Sequence, residues 1–214
     1  MRVDIWSDVV CPWCYLGTRR FEDAVARLDG PEVEIVHRAF ELDPGVPPEG
    51  QDLAEYLARK FGGAQRVAMT HDRLARAASD IGVDFRWDGK RRINSFDAHR
   101  LAAWALDTAG APVQNDLHQR FFRAYFTDNR DLADHAVLAA LAGEAGLDPD
   151  MAAEVLATGA YAEEVRADER QAGELDIHAV PTFVIEGRWA IPGAQDIDTF
   201  VELLGRAAER LTPG

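Results

Sequence analysis

Residues 8–17 read DVVCPWCYLG and hold both cysteines of the 214-residue chain, Cys11 and Cys14. The preceding residues 3–10 are mostly β-branched, aromatic or apolar, which predicts a buried strand, whereas from Tyr15 onward the apolar residues follow a helical period. The two cysteines therefore lie where a strand is followed by a helix. The other segments of the chain are the structural surroundings of this cysteine pair.

The local sequence predicts that Cys11 stands at the N-terminus of the helix. Pro12 has no amide hydrogen and fixes φ near a helical value, so it suits the first helical turn. There the free N–H groups of Trp13 and Cys14, together with the positive end of the helix dipole, favour a thiolate at Cys11 over a thiol. We therefore predict that Cys11 is the more reactive of the two cysteines.

Three interpretations of the cysteine pair compete. A structural zinc site needs four ligands, and the six histidines that would have to complete it are scattered, with none spaced i, i+4. Two inert structural thiols are disfavoured because a helix N-terminus activates a cysteine. The pattern favours the third interpretation, a dithiol that cycles with a disulfide.

The composition limits the partners of the protein. The chain carries 23 basic and 37 acidic residues, for a net charge of −14. This charge repels nucleic acid and anionic membranes, so we expect neither as a partner. The sequence has no apolar signal segment and no apolar run long enough to span a bilayer, which makes the cytoplasm the expected location. In a reducing compartment, a lone CxxC pair is typical of catalysis or redox response.

The first part of the chain alternates strand and helix patterns. Apolar periodicity predicts a helix over residues 12–28 and a second strand around residues 33–36. The prolines and glycines of residues 41–50, Pro48 among them, predict an irregular loop at a domain boundary. Residues 52–175 then carry almost only helical patterns, which indicates a helical subdomain.

Strand patterns return near the end of the chain. Residues 179–185 and 189–191 are short apolar runs around a turn and predict a hairpin, and residues 196–211 form an amphipathic helical pattern. Pro181 cannot donate to a strand ladder, so we predict a cis peptide bond in a turn just before the strand. Within the helical part, alternation over residues 83–89 predicts a brief extended segment.

Motifs along nearly the whole chain resemble those of the DsbA family, and most closely its FrnE-like branch, which is similar in layout to 2-hydroxychromene-2-carboxylate isomerases. The resemblance implies an α/β protein with a thioredoxin-like fold and a large all-helical insertion. Residues 1–45 and 176–214 would form the thioredoxin-like domain, and residues 46–175 the inserted domain. The motifs are residues 4–17 (DIWSDVVCPWCYLG), 40–42 (FEL), 97–100 (DAHR), 121–126 (FFRAYF), 179–184 (AVPTFV) and 193–195 (GAQ).

The resemblance also implies roles for individual residues. Cys11 matches the exposed nucleophile and Cys14 the resolving cysteine, while Pro12 and Trp13 between them are expected to contact substrate. Two further candidates for substrate contact, Val180 and Pro181, match a cis-proline loop that faces the disulfide and pairs with the substrate backbone. Ala179 and Thr182 depart from the Gly and Phe more often expected in this branch, which leaves the shape of the substrate open.

Three polar residues have competing interpretations. Asn94 and His99 fall where the inserted domain of the family faces the active site, which makes them candidates for substrate binding. Asn94 is also suited to capping a helix, and His99 to a hydrogen-bonded position in the core. Asp8 either influences the cysteine pair or stabilises the turn.

The leading hypothesis is a cytoplasmic thiol–disulfide oxidoreductase that acts on protein or small-molecule thiols and disulfides. It needs no cofactor beyond the Cys11–Cys14 pair, and glutathione is a possible co-substrate. One alternative is a glutathione-dependent isomerase or transferase that uses the same cleft, and another is a non-catalytic protein that binds apolar peptide. The sequence leaves the direction of catalysis open, as well as the choice between monomer and homodimer.

Overall fold

The computed structural model describes residues 1–47 and 49–211. Pro48, in the predicted boundary loop, and residues 212–214, at the end of the predicted thioredoxin-like domain, lie outside the described residues. No helix within the described ranges is both long enough and apolar enough to cross a membrane.

A four-stranded sheet forms the base of the molecule, with β1 at Arg2–Ser7, β2 at Glu34–Ala39, β5 at Thr182–Ile185 and β6 at Trp189–Pro192. The strand order is β2-β1-β5-β6. Strand β1 runs parallel to β2 and antiparallel to β5, and Ile5 is registered between His37 and Phe183. The predicted α/β fold is confirmed, and β1 carries the chain through the centre of the sheet to the cysteines.

Two helices, one near each end of the chain, pack together against the sheet. Helix α1 spans Pro12–Arg27 and the C-terminal helix α9 spans Ile197–Leu211, close to the predicted bounds. Phe21 and Phe200 meet edge to face at 5.3 Å between ring centroids, and each lies 4.8 Å from the ring of Phe183. This aromatic cluster fixes α1 on the sheet, and with it the position of the cysteines.

Helices dominate the chain between β2 and β5, as predicted. They are α2 at Leu53–Phe61, α3 at Ala64–Ala78, α4 at Phe96–Ala109, α5 at Ala111–Phe126, α6 at His135–Glu144, α7 at Pro149–Thr158 and α8 at Ala162–Glu174. The ring of Tyr15 from α1 stacks on Phe122 from α5 at 5.2 Å, so the inserted helices share a core with the cysteine-bearing helix. The exact domain bounds stay a prediction.

The segment predicted to be extended is not part of a sheet. Residues 83–89 form no strand; the extended segments in this region are β3 at Gln51–Asp52 and β4 at Arg91–Arg92, which pair with each other. The alternating apolar side chains of the segment instead pack as aromatic neighbours, with Phe85 edge to face with Phe126 at 5.4 Å. Alternation therefore reflected burial against helix α5 and not pairing in a sheet.

Strand β2 lies at the edge of the sheet, and side chains bind outward-facing backbone groups in its second half. The Gln114 amide of α5 accepts from the His37 N–H and donates to the His37 carbonyl, each at 2.9 Å. One carboxylate oxygen of Asp168, in α8, accepts from the Ala39 N–H at 3.0 Å. These side chains take the place of a neighbouring strand.

We predict that Gln114→Ala lowers the free energy of unfolding by about 2 kcal/mol or more, because it leaves a buried N–H and a buried carbonyl unpaired. Gln119→Ala is the control on the same helix, since Gln119 is partly exposed and its amide donates to the Glu22 side chain at 3.1 Å. Urea denaturation of both variants measures the difference. Equal losses in the two variants would contradict the role given to Gln114.

Candidate active site

The cysteine pair lies at the start of α1. Cys11 is the N-cap residue and Pro12 the first residue of the helix, as predicted. Cys14 is completely buried, whereas Cys11 keeps 5% exposure and lines a cavity. Cys11 is thus more accessible than Cys14, but it is reached through the cavity and is not the exposed group that the family resemblance implied.

The helix N-terminus contacts Cys11 differently from our expectation. The N–H groups of Cys14 and Tyr15 donate to the Cys11 carbonyl at 3.0 and 3.2 Å, and the Cys11 side chain makes no capping hydrogen bond. The expected Cys14 N–H contact with the sulfur is therefore wrong, because the carbonyl of an N-cap residue accepts the first intrahelical bond. The Cys11 sulfur instead faces the Val180 carbonyl oxygen at 3.9 Å.

The surroundings of Cys14 favour its thiol form. Burial raises the pKa of the Cys14 thiol well above its usual value, and a hydrogen bond with Cys11 raises it further. The negative charge of Asp8 acts in the same direction, while a backbone hydrogen bond of Asp8 opposes it. At neutral pH, Cys14 is therefore mainly in its protonated thiol form.

A loop from the end of the chain faces the cysteines. The Val180–Pro181 peptide bond is cis, as predicted, and Val180 lines the cavity beside Cys11. The Pro181 carbonyl accepts from the Gly193 N–H at 2.8 Å, which ties the loop to the end of β6. A Cβ atom on Gly17 would lie 2.9 Å from Pro181 Cγ. The absence of a side chain at Gly17 therefore allows α1 and the loop to approach.

The cavity at Cys11 has a volume of about 400 Å³. Pro12 and Trp13 form part of its wall, as the sequence suggested for substrate-contacting residues. Apolar residues of α2 and α3 also form part of the cavity wall, which the sequence did not predict. Amphipathic periodicity was the only signal for those residues, and it does not say what a helix covers. The main apolar residues from these two helices are Leu53, Leu57, Phe61, Val67 and Leu74.

Asp8 is a fully buried carboxylate beside the cysteine pair. Its Oδ1 accepts from the Val10 N–H at 3.2 Å and its Oδ2 from the Leu42 N–H at 2.7 Å. The structure therefore confirms a turn-stabilising role. His99 Nε2 lies 3.7 Å from Asp8 Oδ1, beyond hydrogen-bond distance.

The two polar candidates from the inserted helices do not line the cavity. Asn94 accepts from the Phe96 N–H at 2.8 Å, which is a capping contact, and donates to Glu41 at 3.1 Å. His99 is 2% exposed and lines a second cleft, which shares no lining residue with the cavity at Cys11. Their neighbours Ile93 and Ser95 reach the cavity instead.

The sequence pattern that defines the DSBA-like thioredoxin domain matches residues 2–205 of the chain. The chain belongs to this family. As a whole, this DsbA-like protein is similar to the crystal structure of a probable DsbA oxidoreductase from Streptomyces coelicolor, at 39% identity and a TM-score of 0.91, over 100% of this chain and 92% of that one.

Two more distant solved structures share the fold of this DsbA-like protein, and one further sequence is similar to it. The cytosolic disulfide reductase DsbM from Pseudomonas aeruginosa, solved with GSH, is 21% identical with a TM-score of 0.67, over 99% of this chain and all of that one. A 2-hydroxychromene-2-carboxylate isomerase is 16% identical with a TM-score of 0.69, over 98% and 97% of the two chains. The uncharacterized YwbO of Bacillus subtilis is 29% identical over 94% of each chain.

We predict that a limiting amount of iodoacetamide at pH 7 labels Cys11 well before Cys14. Cys11 lines the cavity, whereas Cys14 is buried and has a raised pKa, so little of it is thiolate at neutral pH. The labelling of Cys14 should rise only at alkaline pH, because only there does a thiol with a raised pKa ionise. Peptide mass spectrometry follows each site, and equal labelling at pH 7 would contradict the assignment.

We also predict that Gly17→Ala lowers the free energy of unfolding by about 1–3 kcal/mol, since the added methyl group collides with the Pro181 ring. Gly205→Ala in α9 is the matched control, because a Cβ there meets nothing within 4 Å. That variant should gain about 0.5–1 kcal/mol, the usual benefit of alanine over glycine within a helix. Thermal unfolding compares them, and a stabilised Gly17→Ala protein would be inconsistent with the close approach.

Proposed function

We propose that this protein is a thiol–disulfide oxidoreductase in which Cys11 attacks and Cys14 resolves. The observation that carries the proposal is the unequal placement of the two thiols. Cys11 lines a cavity that a substrate can enter, whereas Cys14 is fully buried and hydrogen-bonded to Cys11. A substrate sulfur can therefore reach Cys11, and only an internal attack can involve Cys14.

In the reductive direction, the Cys11 thiolate attacks one sulfur of a substrate disulfide and forms a mixed disulfide. The first substrate thiolate leaves and takes up a proton. Cys14 then loses its proton and attacks the Cys11 sulfur, which forms the Cys11–Cys14 disulfide and releases the second substrate thiol. Two electrons pass from the protein to the substrate, and oxidation of a dithiol is the same sequence in reverse.

The chemistry of the cavity supports substrates with an apolar portion next to the reacting sulfur. Apolar residues of α2 and α3 line the cavity together with Trp13, and the Val180 carbonyl lies 3.9 Å from the Cys11 sulfur, where an extended peptide bound at Cys11 would meet it. We propose protein or small-molecule thiols and disulfides as partners. Glutathione is a proposed co-substrate, and the reaction needs no bound cofactor because the cysteine pair stores the electrons.

We propose the cytoplasm as the location of the reaction. The chain has only two cysteines, both in the proposed reactive pair, and therefore offers no further thiols for an internal structural disulfide. The similar fold of DsbM, which is described as a cytosolic disulfide reductase, agrees with this proposal.

We predict that Cys14→Ser accumulates mixed disulfides through Cys11, because the attacking thiol remains and the resolving thiol is lost. Cys11→Ser is the matched control and should accumulate few, since the remaining thiol is buried. Non-reducing gels and mass spectrometry, with and without reductant, measure the adducts after exposure to oxidised glutathione and a disulfide-containing peptide.

The same pair of variants distinguishes the other functions. Isomerase activity on a glutathione-dependent substrate without any disulfide-linked adduct would replace the proposal. Unchanged peptide binding by both variants, again without adducts, would favour a passive binding protein. As many adducts in Cys11→Ser as in Cys14→Ser would mean that the roles of the two cysteines are wrongly assigned.

A further inference from the structure

Two exposed cations lie against aromatic residues in the wall of the cavity at Cys11. Lys60, in α2, lines the cavity, and its ammonium nitrogen lies 5.4 Å from the centroid of the Tyr56 ring. Arg73, in α3, does not line the cavity itself, but its guanidinium carbon lies 5.5 Å from the centroid of the Trp13 ring. Tyr56 and Trp13 both line the cavity. Lys60 and Arg73, here named the rim cations, are therefore held beside the cavity while they remain in contact with solvent.

The rim cations have no carboxylate partner among the side chains that the structure describes. Lys60 Nζ donates to the Tyr56 hydroxyl at 3.2 Å, and the guanidinium of Arg73 contacts an aromatic ring. Hydrogen bonds between a cation and a carboxylate are stronger than those between neutral groups. A carboxylate on a bound molecule can therefore pair with the rim cations without displacing an acid of the protein.

The other ionisable groups with acidic or basic side chains in the cavity wall are paired, hydrogen-bonded or largely neutral. Asp43 pairs with Arg92, and the buried Asp8 carboxylate accepts hydrogen bonds from two backbone N–H groups. Burial lowers the pKa of His71, so this imidazole is mainly neutral at pH 7. His178 faces a carboxylate at 2.8 Å. Within the described side chains, the rim cations are therefore the unbalanced positive charges beside this cavity.

The overall charge of the chain limits which anions can bind at the rim cations. The chain has a net charge of −14, so it repels anions at long range. The rim cations act over about 8 Å, the Debye length at physiological ionic strength. A substrate therefore needs a second source of binding energy besides its negative charge, and burial of an apolar portion against the cavity wall is such a source.

The size and the wall of the cavity favour a small molecule with an apolar portion. The volume of about 400 Å³ lies within the range of roughly 300–1,000 Å³ that is typical of small-molecule sites. Leu57 and Leu74 line the cavity, and so do Phe61 and Leu42, which are 40% and 49% exposed and would be covered by an apolar ligand. Cys11 keeps only 5% exposure. A small-molecule disulfide can reach this thiol inside the cavity, whereas a disulfide on the surface of a folded protein cannot.

We propose that the cavity selects small-molecule disulfides that carry a carboxylate on an apolar body, and that Lys60 and Arg73 are the residues that determine this specificity. The inference rests on the proposed function, because it names the substrate class of the Cys11 attack. The apolar body packs against the wall formed by α2, α3 and Trp13, and the carboxylate pairs with the rim cations. Neutral disulfides of the same shape lack the second contact.

The reaction of such a disulfide balances without an added reactant. The Cys11 thiolate forms a bond to one substrate sulfur, the substrate disulfide bond breaks, and the departing thiolate takes up a proton. Cys14 then loses a proton and bonds to the Cys11 sulfur, and the second substrate thiolate leaves and takes up a proton. The protein dithiol is oxidised and the disulfide is reduced by two electrons. The rim cations exchange no proton and act only by placing the carboxylate.

The test compares two aromatic disulfides in their reaction with the reduced full-length protein at pH 7. Dithiobis-nitrobenzoate carries a carboxylate on each ring, whereas dithiodipyridine is neutral, and both release a coloured thiol when Cys11 attacks. Each rate constant is divided by that of mercaptoethanol with the same reagent, which removes the intrinsic reactivity of the reagent. We expect this normalised rate constant to be about fivefold higher for dithiobis-nitrobenzoate, as two weak ion pairs imply. An equal or lower value for dithiobis-nitrobenzoate would overturn the inference.

Removal of the rim cations isolates their contribution. Lys60→Gln/Arg73→Gln should slow the reaction with dithiobis-nitrobenzoate about fivefold and leave the reaction with dithiodipyridine within about twofold of the wild type. The matched control Arg59→Gln/Arg76→Gln removes two charges from exposed residues of the same helices that do not line the cavity, and both reactions should stay within about twofold. Lys60→Arg/Arg73→Lys keeps both charges and should keep the preference for dithiobis-nitrobenzoate.

Three outcomes of the variant experiments would overturn the inference. Equal slowing in Lys60→Gln/Arg73→Gln and in the control pair would mean that net charge alone is responsible. Equal slowing with the two reagents would mean that the rim cations support Cys11 and not the substrate. The third is an acidic disulfide-containing peptide that reacts faster than dithiobis-nitrobenzoate after the same normalisation and depends equally on the rim cations, because the cavity would then belong to a polypeptide.

The salt dependence of the wild-type protein tests the inference even if a variant fails to fold. The preference for dithiobis-nitrobenzoate should largely disappear at about 1 M salt, where the Debye length is about 3 Å. A preference that is unchanged by salt would contradict a role for the rim cations. Failure of the proposed function is a different result: a wild-type protein that releases no coloured thiol from either reagent.

Discussion

The site depends on the two hydrogen bonds that the Asp8 carboxylate accepts from the backbone. The Val10 N–H and the Leu42 N–H lie on segments that follow β1 and β2, so one side chain holds the ends of two parallel strands together. The turn that it stabilises leads directly into Cys11 and Pro12. A shift of this turn would move Cys11 relative to the Val180–Pro181 loop. The same carboxylate also lines the cavity at Cys11.

Local sequence signals predicted the parts of the site that depend on neighbouring residues. The Cys11–Pro12 start of α1 follows from the geometry of proline, and the cis bond before Pro181 follows from the conflict between proline and a strand ladder. Each of these features is decided within a few residues of chain.

Tertiary contacts decided the features that the sequence did not predict. His37, His99 and His118 are far apart in the chain and gather only because α4 and α5 pack beside β2. Residues 83–89 alternate like a strand, but burial under α5 produces the same pattern as a half-buried strand. The contribution of α2 and α3 to the cavity walls could not be predicted either. An apolar helix face indicates that the face is buried, but it does not indicate which surface the face packs against.

The side chains that satisfy β2 also affect what this protein can pair with. A free edge strand invites another chain to add to the sheet. Gln114 occupies both backbone hydrogen-bonding groups of His37, and Asp168 occupies the outward-facing N–H of Ala39, so the second half of this edge is closed to strand addition. The opposite flank is β6, which has four residues and ends at Pro192. The two edges of the sheet therefore offer a neighbouring molecule only short stretches of strand, the first half of β2 and the proline-ended β6, which limits aggregation through the sheet.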